Sequence, residues 1–206
     1  AVGAAGRADL SARQDILARA QARGLDVAAS IERSTSRRSN IDGFTDAYRR
    51  YVWPTDGIDG VRLAPFQVLA TEGRTYADRD HLWHLGVADR LVDTAPSLFT
   101  RTRRIEVDLR SDSSTADAVA WWCDLTSAGG EGMVVKPSAN GLAGRKVQPG
   151  LKVRGQEYLR LIYGPDYLEP ANLTRLRGRS LGHKQSMALR EYALGMEALQ
   201  RLVDDE

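Results

Sequence analysis

The stretch Gly129-Gly130-Glu131-Gly132-Met133-Val134-Val135-Lys136-Pro137 limits the fold of this chain more than any other. Met133, Val134 and Val135 form an apolar run too short for a helix and bracketed by glycine and proline, so the run predicts a strand. A loop later, Gln148-Pro149-Gly150-Leu151-Lys152-Val153-Arg154-Gly155 predicts a second strand. Alternate side chains of a strand share a face, so Lys152 and Arg154 point one way, and Leu151 and Val153 the other. Two cations on one face cost free energy unless an anion lies between them, and a phosphate meets that need. Glu131 is flanked by glycines, which let a ligand approach the backbone closely. A carboxylate beside cations matches the way Mg²⁺ is held by one or two carboxylates together with substrate phosphates. A surface strand pair joined by an ordinary salt bridge explains the same residues.

The segment E-G-M-V-V-K-P at 131–137 resembles motif IV of the covalent nucleotidyltransferases, the nucleic-acid ligases and capping enzymes. L-K-V-R-G at 151–155 resembles their motif V. The continuation Gln156 to Tyr167, and Leu63 to Gly73 upstream, are similar to the ligase (adenylyltransferase) domain of bacterial polynucleotide kinase-phosphatase, an RNA-repair protein. That resemblance implies an α+β fold: an antiparallel sheet of a nucleotidyltransferase (ATP-grasp-like) module, with a helical module from the N- and C-terminal segments. The implied boundaries are a helical segment at 1–57, the sheet at 58–168 and a C-terminal helical segment at 169–206.

In the family, a lysine amine attacks the α-phosphorus of ATP, AMP passes to an RNA 5′-phosphate, and a 3′-hydroxyl displaces it. The resemblance implies that Glu131 binds Mg²⁺ or Mn²⁺ and that Lys152 contacts the AMP phosphate, both being catalytic. It also places Arg154 as a second phosphate contact, Val134 against adenine and Lys136 near phosphate. The implied partners are ATP, RNA ends, the kinase, phosphatase and N-terminal ligase portions of the same polypeptide, and an RNA methyltransferase. The departures are equally specific. No K-x-[D/H/N]-G nucleophile motif and no motif III carboxylate precede Glu131, and the kinase P-loop is absent. The expectation is therefore the C-terminal portion of a longer ligase, inactive alone, with its nucleophilic lysine outside this sequence. The rival expectation is a non-catalytic RNA-binding or partner-docking module.

A formal charge of +2 does not by itself announce a polyanion partner. Its distribution is more informative, since three of the four lysines, Lys136, Lys146 and Lys152, fall in the central block. The single cysteine, Cys123, excludes an internal disulfide and is expected to be a small core side chain. No apolar run approaches the ~20 residues of a membrane helix, and a cytoplasmic location without membrane contact is expected. Ser11-x-x-Gln14 reads as a capping box opening a helix that stops at Gly24. A second helix is expected from Asp26 to about Arg33, a polar loop over 34–40, and a third helix from Ile41 to Val52. Strands are expected at 61–70 and 98–109. The block Asp78-Arg79-Asp80-His81-Leu82-Trp83-His84 reads as capping and packing rather than a metal site. A helix from Ser114 to Ala128, a basic loop over Arg175, Arg177 and Arg179, and a long amphipathic helix from about Leu181 to Val203 complete the expectation. That last helix is expected to pack on the N-terminal ones.

Overall fold

A computed structural model of the protein describes residues 1–52, 54–138 and 150–206. Lys146, Gln148 and Pro149 of the central block lie outside the described residues. The chain forms two compact units, each assembled from three stretches: Ala1–Pro54, Trp122–Gly132 and Arg154–Arg179 in the first, and Thr55–Trp121, Met133–Val153 and Ser180–Glu206 in the second. Helices mixed with two small two-stranded sheets give the α+β class that the sequence implies. No described helix is long and apolar enough to cross a membrane.

The first unit begins with helices α1 (Val2–Ala22) and α2 (Ala28–Tyr51). Their small residues permit close approach, with Gly3 against Thr45 and Gly6 against Ile41. Leu10 and Ala47 are buried in this unit, and Arg7 pairs with Asp42 at 3.1 Å. α1 starts nine residues before the expected capping box. Ser11 and Gln14 instead accept hydrogen bonds from Arg38 of α2, each at 3.1 Å. The expected loop over 34–40 is helical, and α2 runs through it unbroken. Serine and asparagine are weak helix formers, but here their side chains find tertiary partners. Ser36 donates to Glu169 at 2.7 Å, Arg37 pairs with Asp166 at 2.9 Å, and Asn40 donates to both acids.

The acids that hold α2 come after helix α5 (Gln156–Tyr163): Asp166 lies in a 3₁₀ turn (Pro165–Leu168), and Glu169 immediately precedes helix α6 (Pro170–Arg177). Arg175 and Arg177 therefore sit in a helix, not the expected loop; Pro170 near its start suits the missing N–H and fixed φ of proline. Arg160 of α5 is 9% exposed and donates to Glu157, Asn40 and the Pro165 carbonyl at 2.9, 3.3 and 2.9 Å. This buried cation is satisfied from three sides, which is the condition for burying a charge at all.

In the second unit, strands β1 (Ala70–Thr71) and β2 (Arg74–Thr75) form an antiparallel hairpin around Gly73. The expected strands at 61–70 and 98–109 shrink to this hairpin edge and one parallel bridge between Leu63 and Phe99. The alternating Ile105, Val107 and Leu109 are all exposed. Their neighbourhood is held by side chains: Thr102 donates to the Pro65 carbonyl at 2.8 Å, and Arg104 makes a two-point pair with Asp89 of helix α3 (His81–Thr94). Asp80 caps α3, accepting from the Trp83 amide at 2.7 Å, and His84 is buried. The capping and packing reading of this block holds for both residues.

Helix α4 (Asp112–Ser127) is the expected helix, but Cys123 is exposed on it, beside the equally exposed Asp124, and is not a core side chain. Strands β3 (Gly132–Val135) and β4 (Leu151–Arg154) pair as predicted. Helix α7 (Leu181–Val203) also matches, capped by Ser180. It packs within the second unit on the β1–β2 hairpin, where Thr75 donates to Gln200 at 2.9 Å. The N-terminal helices take α5 and the 3₁₀ turn as partners instead. The N-terminal helices and α7 thus fall in different units.

Two stability outcomes follow from these contacts. Arg160→Ala strands Asn40 and the Pro165 carbonyl and should cost roughly 2–4 kcal/mol in urea unfolding; an unshifted midpoint would show the network to be idle. Asp80→Ala should cost about 1 kcal/mol through the lost cap of α3, with Asp80→Asn close to neutral in the same measurement.

Candidate functional site

A cavity of about 290 Å³ opens in the second unit. β3 and its extension supply Val134 and Lys136, two residues apart and therefore on one face. β4 supplies Lys152, with Gly150 just before it. Arg79 and His81 enter from the start of α3, Gln67 from the extended segment before β1, and Tyr192 and Met196 from α7. Among the described residues lining this space, none is acidic.

The cations are held in place by neutral groups. Lys136 donates to the Gln67 side-chain carbonyl at 3.2 Å and stands 4.7 Å from the centre of the Phe66 ring. Burial pushes its pKa below the ordinary lysine value. Arg79 lies over the Trp83 ring at 5.4 Å, and its buried Nε finds no hydrogen-bond partner among the described residues. His81 and His84 both have lowered pKa values, first through burial and then through the charge of Lys136. The Val68 amide donates to His84 Nδ1 at 3.3 Å, which fits the neutral ring. Two ammonium groups and a partly unsatisfied guanidinium in one half-closed space repel one another until an anion joins them. Phosphate oxygens fit that vacancy of charge well, since lysine serves phosphate as a point charge and arginine as a fork.

The structure thus brings together Val134, Lys136 and Lys152. Glu131 and Arg154 are placed in the first unit, where they form an ion pair with each other. Arg154 also stacks on Tyr158, 4.5 Å from the ring centre, and Tyr158 meets Tyr51 edge-on at 5.1 Å. Tyr51 in turn donates to the Gly129 carbonyl at 2.7 Å. Gly129 has φ +92°, a left-handed conformation that glycine adopts without strain. The Gly155 amide donates to the Glu131 carbonyl at 3.0 Å. The salt-bridge explanation of the sequence therefore describes Glu131 and Arg154, and the unmet positive charge belongs to Lys136 and Lys152.

Sequence reasoning missed Arg79, His81, Gln67 and Tyr192 as neighbours of the lysines. The signal for the first two was present in the Asp78–His84 block, where Arg79 and His81 flank the cap residue Asp80 and so sit at the mouth of the helix. Nothing local marked Gln67 or Tyr192.

Among curated proteins no match is found. A chain in the solved Pnkp1/Rnl/Hen1 complex is similar at 20% identity with a TM-score of 0.49; the match covers 92% of the present chain and 49% of that one. A family model described as PNKP adenylyltransferase domain, ligase domain, matches residues 1–206. With its whole length matched, the chain belongs to the PNKP adenylyltransferase, or ligase, domain family.

Proposed function

We propose that this chain is the C-terminal, phosphate-binding portion of an ATP-dependent RNA ligase from a bacterial RNA-repair polynucleotide kinase-phosphatase. One observation carries the reading. Val134, Lys136 and Lys152, three of the four residues that motif matching assigns to adenine and phosphate, line one cavity together with Arg79, with no acid among its described lining residues. ATP, when bound, supplies an activated α-phosphate with pyrophosphate as the leaving group. This chain's part is positioning and charge neutralisation, the main work of catalysis in phosphoryl transfer. Lys152 neutralises the α-phosphate, Lys136 a neighbouring phosphate oxygen, and Val134 offers apolar surface to the base. Arg79, with its unpartnered Nε, is a further donor to the phosphates.

The metal is a separate matter. Glu131 is the residue that the family pattern assigns to Mg²⁺ or Mn²⁺, yet its carboxylate is engaged by Arg154. A carboxylate already neutralised by a guanidinium is a poor partner for a dication until that guanidinium releases it. The attacking lysine is assigned outside this sequence, because no nucleophile motif precedes Glu131. RNA ends, the kinase, phosphatase and N-terminal ligase portions of one polypeptide, an RNA methyltransferase, and a cytoplasmic location complete the proposal. The second reading, a non-catalytic RNA-binding module, draws support from Arg175, Arg177 and Arg179, which have no acidic partner among the described residues.

ATP binding to the 206-residue chain, followed by calorimetry, should weaken about tenfold or more in Lys152→Ala and in Lys136→Ala, the scale of one charge-assisted hydrogen bond. Wild-type affinity in both variants would remove the cavity from the ATP site. Incubated with radiolabelled ATP and Mg²⁺ or Mn²⁺, the chain alone should acquire no label. A labelled band mapping to Lys152 would overturn the assignment of the nucleophile elsewhere. In the complete protein, Lys152→Ala should abolish AMP transfer while leaving the fold intact.

A further inference from the structure

A second cavity, of about 350 Å³, lies wholly within the first unit, between the end of α5 and the far side of α6. Its formation depends on Gly164. With φ +94°, this residue turns the chain from α5 into the 3₁₀ turn, a conformation costly for any residue with a Cβ. The turn leaves Tyr163 and Tyr167 lining the same space, their ring centres 6.1 Å apart.

The electrostatics are one-sided. Arg175 and Arg179 line the cavity, and Arg177 follows on the same helix; all three are exposed. None of the three has an acidic partner among the described residues. Arg175 donates only to the Asn172 side chain at 2.7 Å, and Arg179 lies over the Tyr163 ring, 5.5 Å from its centre. The one acid on the wall, Asp166, is already held by Arg37 at 2.9 Å and Asn40 at 3.1 Å. Tyr163 keeps 39% of its surface exposed. Guanidinium groups without an acidic partner, beside an exposed ring, form the combination on which single-stranded nucleic acids stack their bases while the cations follow the backbone. An acidic peptide would satisfy the arginines and leave the ring without a planar partner.

We infer that this cavity holds one nucleotide unit of a single-stranded polynucleotide, its phosphodiester against Arg175 and Arg179 and its base stacked at Tyr163. The site goes beyond the ATP-binding proposal, uses residues of the first unit only and needs no ATP. Measuring it without nucleotide keeps its failure separate from failure of that proposal.

The test is fluorescence anisotropy of the full 206-residue chain with a labelled single-stranded RNA of about 12 nucleotides, titrated over a series of KCl concentrations. Arg175→Ala with Arg179→Ala should weaken binding about tenfold and flatten the dependence of log K on log salt by about 0.7, the loss of one phosphate contact. Tyr163→Ala should weaken binding about fivefold or more through lost stacking, and Tyr163→Phe should restore it. Arg110→Ala removes one charge from an exposed pair with Asp108 and should leave the affinity near wild type. All four arginine and tyrosine positions carry exposed side chains, so circular dichroism should be unchanged throughout. A double arginine variant with wild-type affinity and salt slope overturns the inference. So does a Tyr163→Ala variant with unchanged affinity, combined with equal competition by polyglutamate, which assigns the surface to an acidic peptide instead.

Discussion

Uncompensated positive charge organises the second unit. Lys136 and Lys152 share a space with Arg79 and two histidines, and no acid is among its described lining residues. The protein tolerates this with neutral devices: a side-chain amide and a phenyl ring for Lys136, and an indole face for Arg79. Each stabilises a cation without cancelling it. An ion pair at the same place would have been simpler electrostatically and would have left nothing for a ligand to neutralise. The first unit does the opposite with Glu131 and Arg154, which consume each other's charge.

The architecture around the site follows from how buried polar groups are satisfied. Few side chains in this chain are deeply buried, and the apolar ones among them are scattered across both units. In the first unit the order of α2 against α5 and α6 comes instead from a connected set of polar groups: Asn40 serves Arg160 through its carbonyl and two acids through its amide. Such networks are strong when complete and costly when one member is lost. The same set holds Asp166, the one acid among the described residues lining the neighbouring cavity, and neutralises it there, so that Arg175 and Arg179 have no acid to pair with.

Local signals in the sequence were legible where the physics is local. The apolar run bracketed by glycine and proline became β3, the alternating Leu151 to Arg154 became β4, and Asp80 became a cap. Long periodic stretches became α4 and α7. Readings failed where a distant partner outweighed propensity. The polar run 34–40 is helical because its side chains bond to residues more than a hundred positions away. Ser11 and Gln14 form no cap because Arg38 takes both side chains. Ile105, Val107 and Leu109 keep their alternation and form no strand, since alternation marks two faces but does not supply a neighbour to pair with.

By itself, then, the sequence determined the strands β3 and β4, the Asp80 cap, and which residues carry charge and apolar surface, all of them consequences of contacts within a few positions. Only the tertiary structure decided which charges remain unpaired. Strand alternation put Lys152 and Arg154 on equal footing, yet one lines a cavity and the other is neutralised by Glu131. The difference lies in what chain folding brings alongside each cation, and a Coulomb energy that falls with separation in space is blind to separation in sequence.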